Sequence, residues 1–516
     1  AMAFGDRPFL VYDETRWTYA QADERVRRLA RHLVDVASVA RGDRVAIGMR
    51  NYPEWVVSFW ATQVIGAVAV PLNAWWTGEE LQYAVEHSGA VVALLDDERY
   101  ERLAPHVGDP VRSVIVARSR RGVDAPAIAM EQILESDEPA PELPDVEIAP
   151  DDPAAIMYTS GTTGRPKGAV QTHRNHCTNL MNTALIGTLG AAGALPPSGP
   201  PVQQVSLQTF PFFHIGGLSG LYISTAFGST IVMMYRWDPA EAVDLVVRER
   251  VTALAGVPTV VRQLLDELDR QGVVAESLGA VSSGGAPVPP HLIERLGDRS
   301  ARAIRPGNGY GLTETTSAVV INAGDEYYEH PDSVGRPVPV GEVSVRDELG
   351  EEVEPGATGE LWVRGANVVA GYWNDPVATA AAFTDGWFHT GDAAHIDDDG
   401  LVYIVDRLKD VVIRGGENVY CAEVEAILHS VPGVLDVAVI GTPHDVYGEE
   451  VTAVVELEPG ATVTGAELRQ AVAEHLAAFK VPTRIHVSAA PLPRTATGKV
   501  LKRDLRDSVS DLPLLS

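Results

Sequence analysis

Residues 158–170 read YTSGTTGRPKGAV. Gly161, Gly164 and Gly168 let backbone approach a ligand closely, and Ser160, Thr162 and Thr163 add hydroxyl donors. Lys167 adds a charge. Successive amides and hydroxyls in a glycine-rich loop form an anion cradle. The spacing is not that of a Walker A loop, because Lys167 is neither preceded by glycine nor followed by serine or threonine. The pattern therefore disfavours a P-loop phosphoryl-transfer enzyme.

Lysine is scarce outside that loop. The chain has 516 residues and 41 basic side chains, yet only five are lysine: Lys167, Lys409, Lys480, Lys499 and Lys502. A compact ammonium on a flexible stem is not replaced by a planar guanidinium where its shape matters. The formal net charge is −29, which argues against nucleic-acid binding. An anionic substrate then needs a local positive site built against that field. Residues 480–506 carry Lys480, Arg484, Arg494, Lys499, Lys502, Arg503 and Arg506 against Asp504 alone. That segment reads as a phosphate-facing element or a solvated basic helix end.

Other features set the compartment. Cys177 and Cys421 are the only cysteines, which fits a reducing, cytoplasmic setting without disulfides or a zinc motif. No basic-then-apolar leader follows Met2. The uncharged stretch 55–78 is interrupted by Gly66, Pro71 and Asn73. It reads as a buried helix to about Ile65 and a strand Ala67–Pro71, not as a membrane span.

Helical patterns alternate with Val/Ile/Ala runs from about residue 20 to 320, as at 44–48, 67–70, 91–95, 113–116, 230–233 and 253–256. This predicts α/β layers with largely parallel sheets. The Gly/Pro/Ala-rich segment 187–202 reads as a mobile loop. Shorter strands at 343–346, 359–363 and 401–405 predict a small β-barrel. Strands at 434–441 and 451–457 with amphipathic helices at 423–429 and 465–479 predict a compact α+β unit. The expected domains are 1–405 and 411–516, joined by a hinge at 406–410.

Several ordered motifs across nearly the whole chain resemble the adenylate-forming (ANL) superfamily. That superfamily includes acyl-CoA synthetases of the fatty-acid–CoA ligase type, firefly luciferase-like enzymes and peptide-synthetase adenylation domains. The motifs are 158–170, GYGLTE at 309–314, FHTGD at 388–392, DRLKD at 406–410, RGGENVY at 414–420 and PRTATGK at 493–499. The resemblance implies a large N-terminal domain of two α/β sheet subdomains plus a small β-barrel, capped by a small mobile α+β domain. It implies ATP, Mg2+ and coenzyme A as cofactors.

It also implies roles. Thr159 and Lys167 act on the pyrophosphate loop, where Ser160, Gly161, Thr162, Thr163 and Gly164 bind the nucleotide. Gly285, Ala286 and Pro287 leave room for a flat base, beside Asn308, Gly309, Tyr310, Gly311 and Thr313. Tyr310 lays its ring on adenine, and Glu314 is a hard oxygen ligand for magnesium. Asp392 accepts the ribose hydroxyls, and Arg407 pairs with phosphate or ribose oxygens. Lys409 is the pivot, Gly415, Gly416 and Glu417 face the thiol acceptor, and Lys499 is the catalytic lysine. His214 lies at the acyl pocket, and Cys421 stands where many relatives carry proline.

The expected reaction is ATP-dependent adenylation of a carboxylic acid, then thioester formation with CoA. The partner is a small-molecule acid, with a homodimer left open. The acid is expected to be apolar, medium- to long-chain or a bulky ring. The segments 205–235, 251–261, 277–290 and 306–320 contain no lysine, Arg336 lies just outside them, and Gly216, Gly217 and Gly220 leave space. Alternatives are transfer to another acceptor, or an enzyme running only one half-reaction. A peptide-synthetase module expects an aspartate near 212–214, where the chain has Phe-Phe-His. A luciferase-type oxygenase remains an elaboration of the same adenylate.

Overall fold

The computed structural model describes residues 3–123, 125–136, 138–159, 165–191, 203–286, 288–297, 304–495 and 499–515. Two layered sheets form the large part of the chain. A seven-stranded sheet has the order Ile128–Ala129, Ser113–Ala117, Ala90–Asp96, Arg44–Gly48, Val68–Pro71, Pro153–Thr159 and Lys167–Thr172. Only the last pair in that order is antiparallel. A nine-stranded sheet places Arg305–Leu312, Ala280–Gly284, Ala253–Gly256, Val205–Gln208 and Thr230–Met233 side by side. From Ala280–Gly284 to Thr230–Met233 its neighbours are parallel.

Local chemistry starts and stops the covering helices. Thr18 and Gln21 form a reciprocal cap on Tyr19–Asp35, as Thr77 and Glu80 do on Gly78–Ser88. Pro53 opens the helix Pro53–Val64, where a missing amide costs nothing. Its Trp55 and Phe59 are fully buried and stack with each other, and Trp55 also stacks on Phe212. The uncharged stretch is thus core helix followed by the strand Val68–Pro71. Among the described residues, no helix is long and apolar enough to cross a membrane.

Residues 341–407 form a five-stranded antiparallel half-barrel with Gly341–Arg346 at one edge. The C-terminal unit has its own core, in which Val424, Leu428, Val439, Val455 and Leu468 are buried. Its sheet joins Val412–Arg414, Glu417–Val419, Val434–His444, Gly448–Leu457 and Arg484–Ser488. The helix expected over 465–479 ends at His475, and a 3-10 turn Ala478–Lys480 follows.

Five basic side chains of the tail are held in ion pairs, so these five form neither a phosphate-facing surface nor a solvated helix end. Lys480 pairs with Glu423, Arg484 with Glu450, Arg494 with Asp436, Lys502 with Glu425 and Arg506 with Asp410. These carboxylates come from elsewhere in the same unit or from the hinge segment, so most of the local charge is neutralised internally.

Candidate active site

The site assembles where the half-barrel meets the nine-stranded sheet. Asp392 lies on the strand Trp387–Ile396, directly opposite Arg407 on Val402–Arg407. It is 2% exposed. Its Oδ1 accepts from Arg407 Nε at 2.6 Å, and its Oδ2 accepts from the Tyr310 hydroxyl at 2.5 Å. Burial raises the Asp392 pKa, and the Arg407 guanidinium opposes that. Burial also pushes the Tyr310 hydroxyl well above its usual range, and the adjacent Asp392 charge adds to this. A carboxylate has about four acceptor sites. Asp392 therefore keeps capacity for ligand hydroxyls beside Tyr310 and Arg407.

Lys499 enters this cluster from the C-terminal unit. Its backbone amide donates to Thr495 Oγ1 at 3.1 Å and its carbonyl accepts from Thr495 N at 2.8 Å. Burial lowers its pKa to about 8, helped by Arg407 and Lys409, while Asp392 and Asp410 act the other way. The ammonium is thus held in a partly desolvated place where an added anion would be strongly felt.

A second group adjoins the first. Glu314 sits on a 3-10 turn Thr313–Thr315 and is 8% exposed. Its Oε1 accepts from the Tyr372 hydroxyl at 2.7 Å. Burial raises its pKa, against the Tyr372 bond and the charges of Arg407 and Lys167. Lys167 Nζ stands 5.2 Å from the Tyr372 ring centroid. Tyr372 reaches this place because Trp373 N donates to Gly168 O and Val170 N donates to Gly371 O. Gln171 Nε2 donates to Thr313 O, tying the same strand to the Glu314 turn. Sequence reasoning missed Tyr372: a tyrosine in a Gly-Tyr-Trp turn carries no signal of the carboxylate it meets 58 residues away.

The remaining expected residues fall as follows. Thr159 ends its strand opposite Lys167 in antiparallel register. Asn308 and Gly309 lie beside Ser283 and Gly284. Gly311 is obligatory, because a Cβ there would stand 1.9 Å from Ser317 O. Gly285 has φ +78°, and Ala286 beside it is half-buried. Ser160, Gly161, Thr162, Thr163, Gly164 and Pro287 lie outside the described residues, as does most of the segment expected to be a mobile loop.

Three further expected positions have the following surroundings. His214 caps the helix Ile215–Phe227, its Nδ1 accepting from Gly216 N at 3.2 Å. Burial lowers its pKa to about 4, so it is neutral. Gly217 is not pocket space, since a Cβ on it would stand 2.1 Å from Pro211 O. Gly415, Gly416 and Glu417 form an exposed turn whose neighbour is Tyr447, and the structure does not bring them to the Asp392 cluster.

Around the hinge, Lys409 is exposed on the turn Leu408–Asp410. Asp406 Oδ2 accepts from Ala422 N at 3.1 Å. Asp410 accepts from Arg506 at its carboxylate and from the Cys421 thiol at its carbonyl, both at 3.0 Å. Cys421 is the first residue of the helix Cys421–Ser430. Proline is also at home at that position.

Magnesium fits this site only as a companion of the nucleotide. Among the described residues no three His, Cys, Asp or Glu side chains converge to hold an ion. Glu314 offers one carboxylate, and magnesium characteristically combines one or two carboxylates with water and substrate phosphates.

The chain belongs to the AMP-binding enzyme family. The model of that family matches residues 1–373, and the model of the AMP-binding enzyme C-terminal domain matches residues 423–499. The chain is 37% identical to a feruloyl-CoA synthase of Amycolatopsis over 95% of its length and 94% of the relative's. It is 34% identical to the long-chain-fatty-acid–CoA ligase FadD13 of Mycobacterium tuberculosis, covering 96% and 94%. Among solved structures, ATP-bound MatB from Rhodopseudomonas palustris superposes with a TM-score of 0.86 at 31% identity, covering 98% and 96%. MenE from Bacillus subtilis with its acyl-adenylate OSB-AMP gives a TM-score of 0.82 at 31% identity, covering 99% and 96%.

Within that family the chain is an AMP-forming acid–thiol ligase. It adenylates a carboxylic acid with ATP, accompanied by magnesium, and transfers the acyl group to CoA.

Proposed function

We propose that the acid is an apolar monocarboxylate, a medium- or long-chain acid or a bulky ring acid. The segments named for the pocket bring no lysine. Arg336, the cation that would alter this, is held at the surface by Glu326 and the Asp399 carbonyl. A second carboxylate buried against such a wall would lack a partner, which is costly. Relatives named for feruloyl and long-chain fatty acids are compatible with either shape.

The observation that carries the residue roles is the Lys499 ammonium beside the Asp392–Arg407 pair. In this reading Asp392 binds ribose, Tyr310 stacks on adenine, and Lys167 with Thr159 handles pyrophosphate. Glu314 shares the nucleotide's magnesium. Lys499 stabilises the charge that develops as the carboxylate attacks the α-phosphorus, and positioning supplies the other large term. His214, neutral and fixed as a helix cap, positions the acyl end.

The domains in this reading are 1–405 and 411–516, swivelling at 406–410. Lys499 faces the nucleotide for adenylation, and the Gly415–Glu417 turn replaces it for thioester formation. The setting is cytoplasmic, and the enzyme acts as a monomer or homodimer on a small-molecule acid. A carboxylate panel, scored separately for pyrophosphate and for acyl-CoA, tests this. Pyrophosphate with octanoate or an aryl acid, followed by thioester, supports it. Preference for malonate or acetate sinks the substrate class, and pyrophosphate without thioester sinks the second half-reaction.

A further inference from the structure

The helix Pro258–Gln271 covers the strands Ala253–Gly256 and Ala280–Gly284 of the nine-stranded sheet, and it buries Val261, Leu264, Leu265 and Leu268. Its other charged residues find partners close by. Arg270 pairs with Glu267, and Asp266 and Asp269 both pair with Arg295. Arg262 differs. It is half-buried, and its Nη1 donates to the Leu435 carbonyl at 3.2 Å, 173 residues away. The bond crosses from the large part of the chain to the C-terminal unit.

A bulge makes Leu435 available to it. Between Val434–His444 and Gly448–Leu457, Val434 lies opposite Leu457 and Asp436 opposite Glu456, so Leu435 is the extra residue. A bulge leaves its extra residue outside the ladder and bends the strand there. The next residue, Asp436, is 9% exposed. Its Oδ1 accepts from Val437 N at 2.9 Å, and its Oδ2 pairs with Arg494. Arg494 belongs to the segment that carries Lys499. Arg494 and Val500 form an antiparallel bridge, and Leu501 N donates to Pro493 O at 2.8 Å. Thr495 bonds to Lys499 through both its amide and its hydroxyl. Leu435 and Asp436 therefore join the large part of the chain, through Arg262, to the base of the Lys499 segment, through Arg494. Such a brace sets where an ammonium stands without touching it, and a misplacement of ~1 Å at a reacting centre costs about 100-fold.

We propose that Arg262 is a positioning residue for adenylation, holding the Lys499 segment at the Asp392 cluster through its bond to the Leu435 bulge. The proposal rests on the reading that Lys499 serves adenylation. It makes Arg262 matter in one half-reaction only, because a swivel at 406–410 carries Leu435 away from it.

The test follows pyrophosphate formation and, separately, thioester formation from supplied acyl-adenylate. The variants are Arg262→Leu, Arg262→Lys, Arg494→Gln and the double variant of Arg262→Leu with Arg494→Gln, and Lys499→Ala is the control. Arg262→Leu keeps an apolar stem and removes the donor. It should lower kcat for pyrophosphate formation about tenfold, the scale of a lost hydrogen bond from a charged group. KM for ATP and thioester formation should stay at the parent's values, since only the first half-reaction uses the brace. Lysine keeps a charge and a donor, so Arg262→Lys should return kcat to within about threefold of the parent. Residues that act in one network are not additive, so the double variant should be little slower than the slower single one. An Arg262→Leu rate within about threefold of the parent, an equal loss in both half-reactions, no recovery with lysine, or additive losses with Arg494→Gln overturns the proposal and leaves the Lys499 reading intact. Parental adenylation by Lys499→Ala overturns that reading, and the proposal with it.

Discussion

The C-terminal unit presents two motifs of opposite character. Lys499 is inserted beside Asp392 and Arg407, where burial holds the amine pKa at about 8. The turn Gly415–Glu417 stands in solvent, with Gly415 and Gly416 at φ +62° and +90°. One is shaped by its surroundings and the other by its own backbone. In the proposed reading this arrangement is the one that serves adenylation, and the difference says how each turn should respond to change.

The largest effect is expected from Lys499→Ala. Loss of a key charge-stabilising donor costs on the order of 3 kcal/mol, about 100-fold in adenylation. Thioester formation from supplied acyl-adenylate should persist. An adenylation rate within threefold of the parent would falsify the role given to Lys499.

The pH profile sharpens the same contrast. The amine is charged below its pKa and loses its proton as pH rises through about 8. Pyrophosphate formation, followed as kcat/KM, should therefore fall about tenfold per unit above that value. Lys499→Arg should flatten this limb, because guanidinium keeps its proton. The same alkaline limb in both Lys499→Arg and the parent would assign the titration to another group.

Lys409→Pro addresses the swivel. Proline fixes φ near −65°, which suits the 3-10 turn Leu408–Asp410 seen here. Adenylation should survive and CoA transfer should fall, by about tenfold if closure limits it. Equal retention of both half-reactions excludes Lys409 as the pivot.

The smallest effect is expected at Gly416→Val. No atom lies within 4 Å of the added Cβ, so the substitution acts through the positive φ alone. That strain is worth about 1–2 kcal/mol. CoA transfer should slow several-fold with pyrophosphate formation unchanged. An equal loss in both assays would place the turn in general stability.

Much of this was legible because local chemistry survives in sequence. The alternation of helices with Val/Ile/Ala runs gave the parallel strands, with ends displaced by one or two residues, as at Val68–Pro71. Of the scarce lysines, Lys480 and Lys502 serve ion pairs with Glu423 and Glu425. Those partners lie 57 and 77 residues away, beyond any local pattern. The glycines after His214 promised space, yet Gly217 is consumed by contact with Pro211.

The bonds on either side of Lys409 give the proposed swivel a mechanical character. Asp410 is fastened to Cys421 and Arg506, so it must travel with the C-terminal unit. Asp406, on a strand of the half-barrel, also grips Ala422 N. A turn about Lys409 would leave the first attachment whole and strip the second. In that proposal the Asp406 carboxylate works as a detent: it holds one angular stop until torque from ligand exchange exceeds it, and it releases without loosening the rotor beyond.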